Sequence, residues 1–302
     1  MQTIKEKILK LKKERNAVII AHNYQPIDVQ EIADFLGDSL DLSRKAAQTS
    51  ADVIVFCGVH FMAETAAILA PNKTVLIPDA AAGCPMANMI SPKELVEVKA
   101  QHPGAKVVCY VNTSAEIKAL SDVCCTSSNA KIIVNSMLSD DIIFVPDKNL
   151  GHYTQKITGK KMFLWNGYCP THVKFQLEHV LAQKKVYPNA KVLVHPECLP
   201  SVVELADQVL STTGICEFIS KSNDIDFIIG TETNILHRLS KENPNKKFYP
   251  LYDGATCPNM RKNSLEKVLF ALEEMKTIIT VDPEVSSAAK KSLDKMLDLS
   301  GK

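Results

Sequence analysis

Glycine is scarce in this chain, 11 residues in 302. None of them builds a G-x-G-x-x-G or a G-x-x-x-x-G-K-S/T string, so the fingerprints of dinucleotide and P-loop phosphate binding are missing, and H-E-x-x-H is missing too. Excess charge of one sign is also lacking: Lys+Arg 35 against Asp+Glu 34 leaves a net charge of +1. Such a chain has no polycationic field with which to hold nucleic acid by phosphate neutralisation. No uncharged apolar run approaches the roughly 18–20 residues of a membrane helix. The first residues, MQTIKEKILKLKKERN, are charged throughout and have no apolar h-region, so a cytoplasmic protein without a signal peptide is expected. A hydrophobic share of 46% with 23% charged residues supplies an ample globular core.

What is present is cysteine, nine residues. An odd number in a reducing compartment argues for metal binding or catalysis rather than a disulfide framework. Cys84, Cys169 and Cys257 each precede a proline, which stiffens the backbone and biases the cysteine to an extended conformation. No C-x-x-C occurs. Cys57, Cys109, Cys124, Cys125, Cys198 and Cys216 read as core or supporting residues, with Cys124 and Cys125 expected to be helical.

Length alone gives a prior of about two domains, but a threefold repeat overrides it. The strand-like runs VIIAHNY, VVCYVNT and VLVHPEC are each followed by an amphipathic stretch of helical period, DVQEIADFLG, SAEIKALSDV and SVVELADQVL. A second helix, a second strand (ADVIVFCG, DDIIFVPD, DIDFIIGT) and a third (TVLIPDA, KMFLWNG, KFYPLYDG) complete each repeat. His22, Tyr110 and His195 stand 88 and then 85 residues apart, as do Tyr24, Asn112 and Glu197, and Ser39, Ser127 and Thr212. Alternation of strand and helix implies α/β layers. The predicted fold is three homologous three-layer αβα domains with parallel sheets in pseudo-threefold arrangement and the active site at the centre. Residues 1–88 plus 263–302 form the first domain, closed by helices at 3–15 and 264–279. Residues 89–173 form the second and 174–262 the third.

In parallel α/β domains ligands bind beyond the carboxyl ends of the strands. There lie His22, Tyr24, Tyr110, Asn112, His195 and Glu197, and the three Cys-Pro corners follow the third strands of the same edge. Three thiolates from distant loops leave one iron of a 4Fe-4S cluster open, and an open iron can act as a Lewis acid on a substrate oxygen. Ser39, Ser127 and Thr212 stand at expected helix starts, where N-capping is the plain reading. Three helix N-termini aimed at one cavity also favour a compact polyanion over an apolar ligand. Glu197 fits a general base, Tyr24 and Tyr110 fit proton donors or relays, and His172 lies close to the cluster position. An iron–sulfur redox sensor or electron carrier, or another open-iron hydro-lyase, remains an alternative.

The segments AHNYQ, EIADFLGDSLDLS, GCPMA, CYVNTSAEIKA, FVPDKNLG, WNGYCPTH, VHPECLP, STTG and ATCPNM resemble the quinolinate synthase family over nearly the whole chain. The resemblance implies a condensing and dehydrating transferase of NAD biosynthesis. Such an enzyme joins iminoaspartate and dihydroxyacetone phosphate into quinolinate, releasing phosphate and water. It implies a 4Fe-4S cluster on Cys84, Cys169 and Cys257 with one open iron. Substrate contacts are implied at His22, Ser39, Tyr110, Asn112, Ser127, His195, Glu197 and Thr212, and proton transfer by Tyr24, Glu197 and His172, to which the residue reading adds Tyr110 as a catalytic candidate. Functional coupling to an iminoaspartate-producing enzyme is the implied partnership, with no nucleic acid or membrane. Some relatives carry C-x-x-C-x-x-C around the last ligand. Here it reads Cys257-Pro258-Asn259-Met260-Arg261-Lys262, so a disulfide switch at that place is not expected.

Overall fold

The computed structural model describes residues 3–139 and 141–301. Residues 1, 2 and 302, at the ends of the predicted first domain, and Asp140, which opens the predicted strand DDIIFVPD, lie outside the described residues. The first part of the chain runs α1 (Ile4–Glu14), β1 (Ala17–His22), α2 (Ile27–Ile32), β2 (Phe35–Gly37), α3 (Ser39–Gln48), β3 (Val53–Cys57), α4 (His60–Leu69) and β4 (Thr74–Leu76). The pattern returns as α5 (Pro92–Gln101), β5 (Lys106–Tyr110), α6 (Ala115–Ala119), β6 (Val123–Cys125), α7 (Ala130–Ser136), β7 (Ile142–Val145), α8 (Lys148–Thr158) and β8 (Met162–Leu164). It returns again as α9 (Leu177–Val186), β9 (Lys191–Val194), α10 (Pro200–Val203), β10 (Gln208–Val209), α11 (Thr212–Lys221), β11 (Asp226–Gly230), α12 (Ile235–Glu242) and β12 (Lys247–Pro250). Two helices close the chain, α13 (Leu265–Glu274) and α14 (Pro283–Leu299).

Among the described residues the strands form three four-stranded parallel sheets of one topology, β2-β1-β3-β4, β6-β5-β7-β8 and β10-β9-β11-β12. Helices flank each sheet, so β3 and β7 are buried along their whole length. Continuous apolar strands of this kind are what two helical layers demand. Three parallel αβα layers are thus present as predicted, with four strands per sheet rather than three. The additional strands, β2, β6 and β10, are two or three residues long and lie within stretches read as helical. Cys124 and Cys125 consequently belong to a strand, not a helix.

The predicted helix at 264–279 stops at Glu274, where Met275 takes a left-handed conformation (φ 51°). Helix α14 begins after Asp282, whose side chain accepts from the N–H groups of Glu284 and Val285. Its buried residues Ala289, Leu293 and Met296 join an apolar cluster shared by the first two sheets. Ser292 in the same helix donates to the Lys118 carbonyl at 2.8 Å. The third sheet packs within its own clusters. It meets the others near the middle of the molecule through polar side chains, among them Tyr24 with Thr231 and Asn23 with Thr212. No helix among the described residues is long and apolar enough to cross a membrane.

Candidate active site

A central cavity of about 130 Å³ is lined by His22, Tyr24, Ser39, Cys84, Tyr110, Asn112, Ser127, Cys169, His172, His195, Glu197, Thr212 and Cys257. The structure therefore brings every residue singled out from the sequence to one place. One wall was not foreseen: Val59, Phe61, Met62, Met86 and Met260 also face the cavity. The cavity therefore has a polar side and an apolar side.

Each Cys-Pro corner leads into a single 3-10 turn, Met86–Asn88, His172–Lys174 or Met260–Lys262. Two of the corners are held by buried carboxylates absent from the sequence reading. Asp147 accepts the Cys169 N–H at 3.1 Å, and Glu232 accepts the Cys257 N–H at 3.2 Å. The two acids lie 85 residues apart, and Val59 stands at the same repeat position in the first sheet; that spacing was the available signal. Gly167 lets the chain reach Cys169, because a Cβ there would strike the Pro146 carbonyl.

Burial pushes the thiols up, Cys84 to about 12, with Cys169 and Cys257 raised as well. Unliganded, they are protonated; a metal centre would displace those protons. The one His/Cys/Asp/Glu trio among the described residues with ligand atoms all within 4.8 Å is Cys169, His172 and Glu197. The three Cys-Pro sulfurs do not meet that limit as a set. Two thiolates on one zinc ion can be at most about 4.6 Å apart, so the triad as it stands is too wide to close on a single zinc ion. In the closer trio His172 Nδ1 is already engaged with Glu197 Oε2 at 2.8 Å.

That contact belongs to a longer chain of groups. His172 Nε2 lies 2.8 Å from Thr231 Oγ1, which lies 2.5 Å from Tyr24 Oη. On the other side, Tyr110 Oη donates to Glu197 Oε1 at 2.6 Å. Thr231, directly after β11, has Pro146 and Gly58 at the equivalent repeat positions, so no shared polar type marked it in the sequence. Burial acts to raise Glu197, but the imidazoles of His195 and His172 and the hydrogen bonds from His172 and Tyr110 outweigh it and hold the carboxyl low. Burial and then Glu197 push both Tyr24 and Tyr110 well above the usual phenol value, so both remain proton donors.

His22 and His195 are equivalent in more than spacing. Each Nδ1 accepts a backbone N–H two residues on, from Tyr24 at 3.2 Å and from Glu197 at 3.3 Å. That fixes the tautomer and leaves Nε2–H as the free donor. Burial lowers both to about 3, so they act as neutral donors.

The helix starts differ from the plain capping expectation. Asp38 caps α3 and Ser211 caps α11, while Ser39 and Thr212 are the first helical residues. Ser127 lies in the turn before α7, whose cap position is Asn129. Released from capping, the three hydroxyls are free to face the cavity. Asn112 Oδ1, also at the cavity, is buried without a hydrogen-bond partner, an acceptor awaiting a ligand donor.

Known proteins similar to this chain match it over nearly its whole length. The family profile described as quinolinate synthetase A protein matches residues 6–298. A quinolinate synthase of Dehalococcoides mccartyi strain 195 is 54% identical over 296 residues, covering 98% of each chain. One of Methanoregula boonei is also 54% identical over 98% of each. One of Geobacter sp. strain M21 is 55% identical over 98% of this chain and 97% of its own.

Proposed function

The chain belongs to the quinolinate synthase family of NAD-biosynthetic enzymes, and from that premise we propose that it condenses iminoaspartate with dihydroxyacetone phosphate, yielding quinolinate, phosphate and two molecules of water. Cys84, Cys169 and Cys257 would hold a 4Fe-4S cluster. With one iron free of protein ligands, it supplies a Lewis-acid site for a substrate oxygen or nitrogen.

The carrying observation is the convergence of three Cys-Pro thiols and the Tyr24–Thr231–His172–Glu197 chain on one cavity. Neutral Nε2–H groups of His22 and His195, the first turns of α3 and α11, and the hydroxyls of Ser39, Ser127 and Thr212 bind carboxylate and phosphate oxygens. The apolar wall keeps water from the imine. His172 keeps its Nδ1 proton on Glu197 and accepts at Nε2. Tyr24 can then pass its proton to Thr231 Oγ1 while Thr231 passes its own to His172 Nε2, and the reverse transfer returns it. Tyr110, whose single proton is donated to Glu197, stays protonated and has only the lone pairs of its phenol oxygen to offer the substrate, as an acceptor.

The direct test is an anaerobic assay from dihydroxyacetone phosphate and enzymatically generated iminoaspartate. Quinolinate and phosphate formed in equal amounts are expected. A cluster-loaded protein that forms neither, or a metal-free protein that forms both at full rate, overturns the reading.

A further inference from the structure

Thr212 is the cavity hydroxyl whose direction the protein dictates. The loop after β1 places Asn23 fully buried against it. Asn23 Nδ2 donates to Thr212 Oγ1 at 2.8 Å, and Asn23 Oδ1 accepts from Arg238 Nη1 at 2.7 Å. Guanidinium has no acceptor, so the amide has one orientation: oxygen toward Arg238, NH2 toward Thr212. Arg238 is itself fixed, by Glu242 Oε1 at 2.7 Å and by the Leu36 carbonyl at 3.1 Å. The Asn23 backbone is fixed too, its N–H on the Gly37 carbonyl and its carbonyl on Gln30 Nε2. Thr212 therefore accepts from behind. As the first residue of α11 it has no preceding helical turn whose carbonyl its own proton might take, and that proton is left for the cavity.

We propose that Arg238 and Asn23 are positioning residues that make the Thr212 hydroxyl an obligate donor. This end of the cavity would then favour a ligand group that only accepts hydrogen bonds, an ionised carboxylate or phosphate oxygen, over one that must donate. The proposal rests on the reading of Thr212 as a substrate contact. It spans two sheets, since Asn23 follows β1 while Arg238 lies on α12 and Thr212 on α11.

Asn23→Asp separates direction from packing. The variant is nearly isosteric and keeps its partner, because a carboxylate accepts from Arg238 at least as well. Toward Thr212, however, it can only accept, so the hydroxyl turns to it and away from the cavity. Steady-state kinetics of the anaerobic holoenzyme should show KM raised roughly 10- to 100-fold, the range for a hydrogen bond to a charged group, with a much smaller change in kcat. The substrate whose KM moves identifies the oxygen: dihydroxyacetone phosphate for a phosphate, iminoaspartate for a carboxylate. Thr212→Val should raise the same KM, Thr212→Ser should not, and Asn23→Asp should add nothing in the Thr212→Val background.

Unchanged KM in Asn23→Asp beside a raised KM in Thr212→Val overturns the relay. Additive effects in the double variant also overturn it, since they would mean the new charge acts through space. If Thr212→Val leaves both KM values unchanged, the contact reading itself fails. Should Asn23→Asp not yield folded holoenzyme, Arg238→Gln reads the same relay: the amide gains freedom to rotate, and the same KM rises by a smaller factor or the proposal falls.

Discussion

A nearly fully buried carboxylate needs donors on both oxygens to stay ionised, and Glu197 has them in Tyr110 and His172. The residue was expected from the sequence to serve as a general base, but a carboxyl held below its ordinary range is a weak one. Its geometry suits another task. By accepting from His172 Nδ1 it fixes the tautomer that leaves Nε2 open to Thr231. Glu197→Gln tests this role, because an amide presenting NH2 to Nδ1 would favour the opposite tautomer. The expected outcome is an intact cluster with kcat lowered by about 10³–10⁴-fold, the scale on which a wrong tautomer stops a hydroxyl–imidazole–carboxylate chain. Iron content together with steady-state kinetics checks it. Near-normal turnover would remove Glu197 from the chain of proton transfer.

At the scale of helix and strand, the tips of α3 and α11 lock onto each other. Ser211 donates to Asp38 at 2.9 Å and Thr213 to Asp41 at 2.5 Å. Burial and the adjacent Asp41 push Asp38 from 3.8 up to about 6. An acid raised in the folded state binds more protons folded than unfolded. Its protonation favours the fold below about pH 4, the advantage fades as pH rises to about 6, and beyond that ionisation costs on the order of 3 kcal/mol. Asp38→Asn cannot titrate yet keeps a capping oxygen. Its melting temperature relative to the parent should therefore climb between pH 4 and 6.5 and level off; a constant difference would show that Asp38 does not titrate in this range. The same elements mark what the sequence could and could not disclose. Strands such as β1, β3 and β7 are long enough for an apolar run to declare them. The edge strands Phe35–Gly37, Val123–Cys125 and Gln208–Val209 are too short to impose a period on their surroundings, and so passed as helix. The cap at Asp38 rather than Ser39 is a one-residue register, which propensity does not resolve because both residues cap well.

At the scale of the whole chain, the spacing of 88 and 85 residues carried the site, because equivalent positions of three like sheets end on the same edge. It reported positions and not pair contacts, so Thr231, Asn23 and the two carboxylates behind Cys169 and Cys257 emerged only with the fold. The assembly is also uneven. The first two sheets share an apolar core with α14 that also takes in Met260 and Cys257, whereas the third sheet's strands pack in separate clusters, with polar contacts to the other two sheets around the cavity. A cluster bound by one thiol from each sheet would be the strongest link between the third sheet and the rest, since metal–thiolate binding stabilises whatever brings its ligands together. Removal of iron should thus lower the melting temperature of the parent protein, and Cys84→Ser, Cys169→Ser and Cys257→Ser should each lose the cluster, quinolinate formation and that thermal increment together. Cys216, buried within the third sheet's own packing on α11, belongs to none of the corners, and Cys216→Ser should keep iron, activity and the increment. Iron and sulfide analysis beside anaerobic thermal unfolding distinguishes the cases: a Cys-Pro variant that retains four irons and the parent melting temperature would mean that its corner does not join the three sheets through metal.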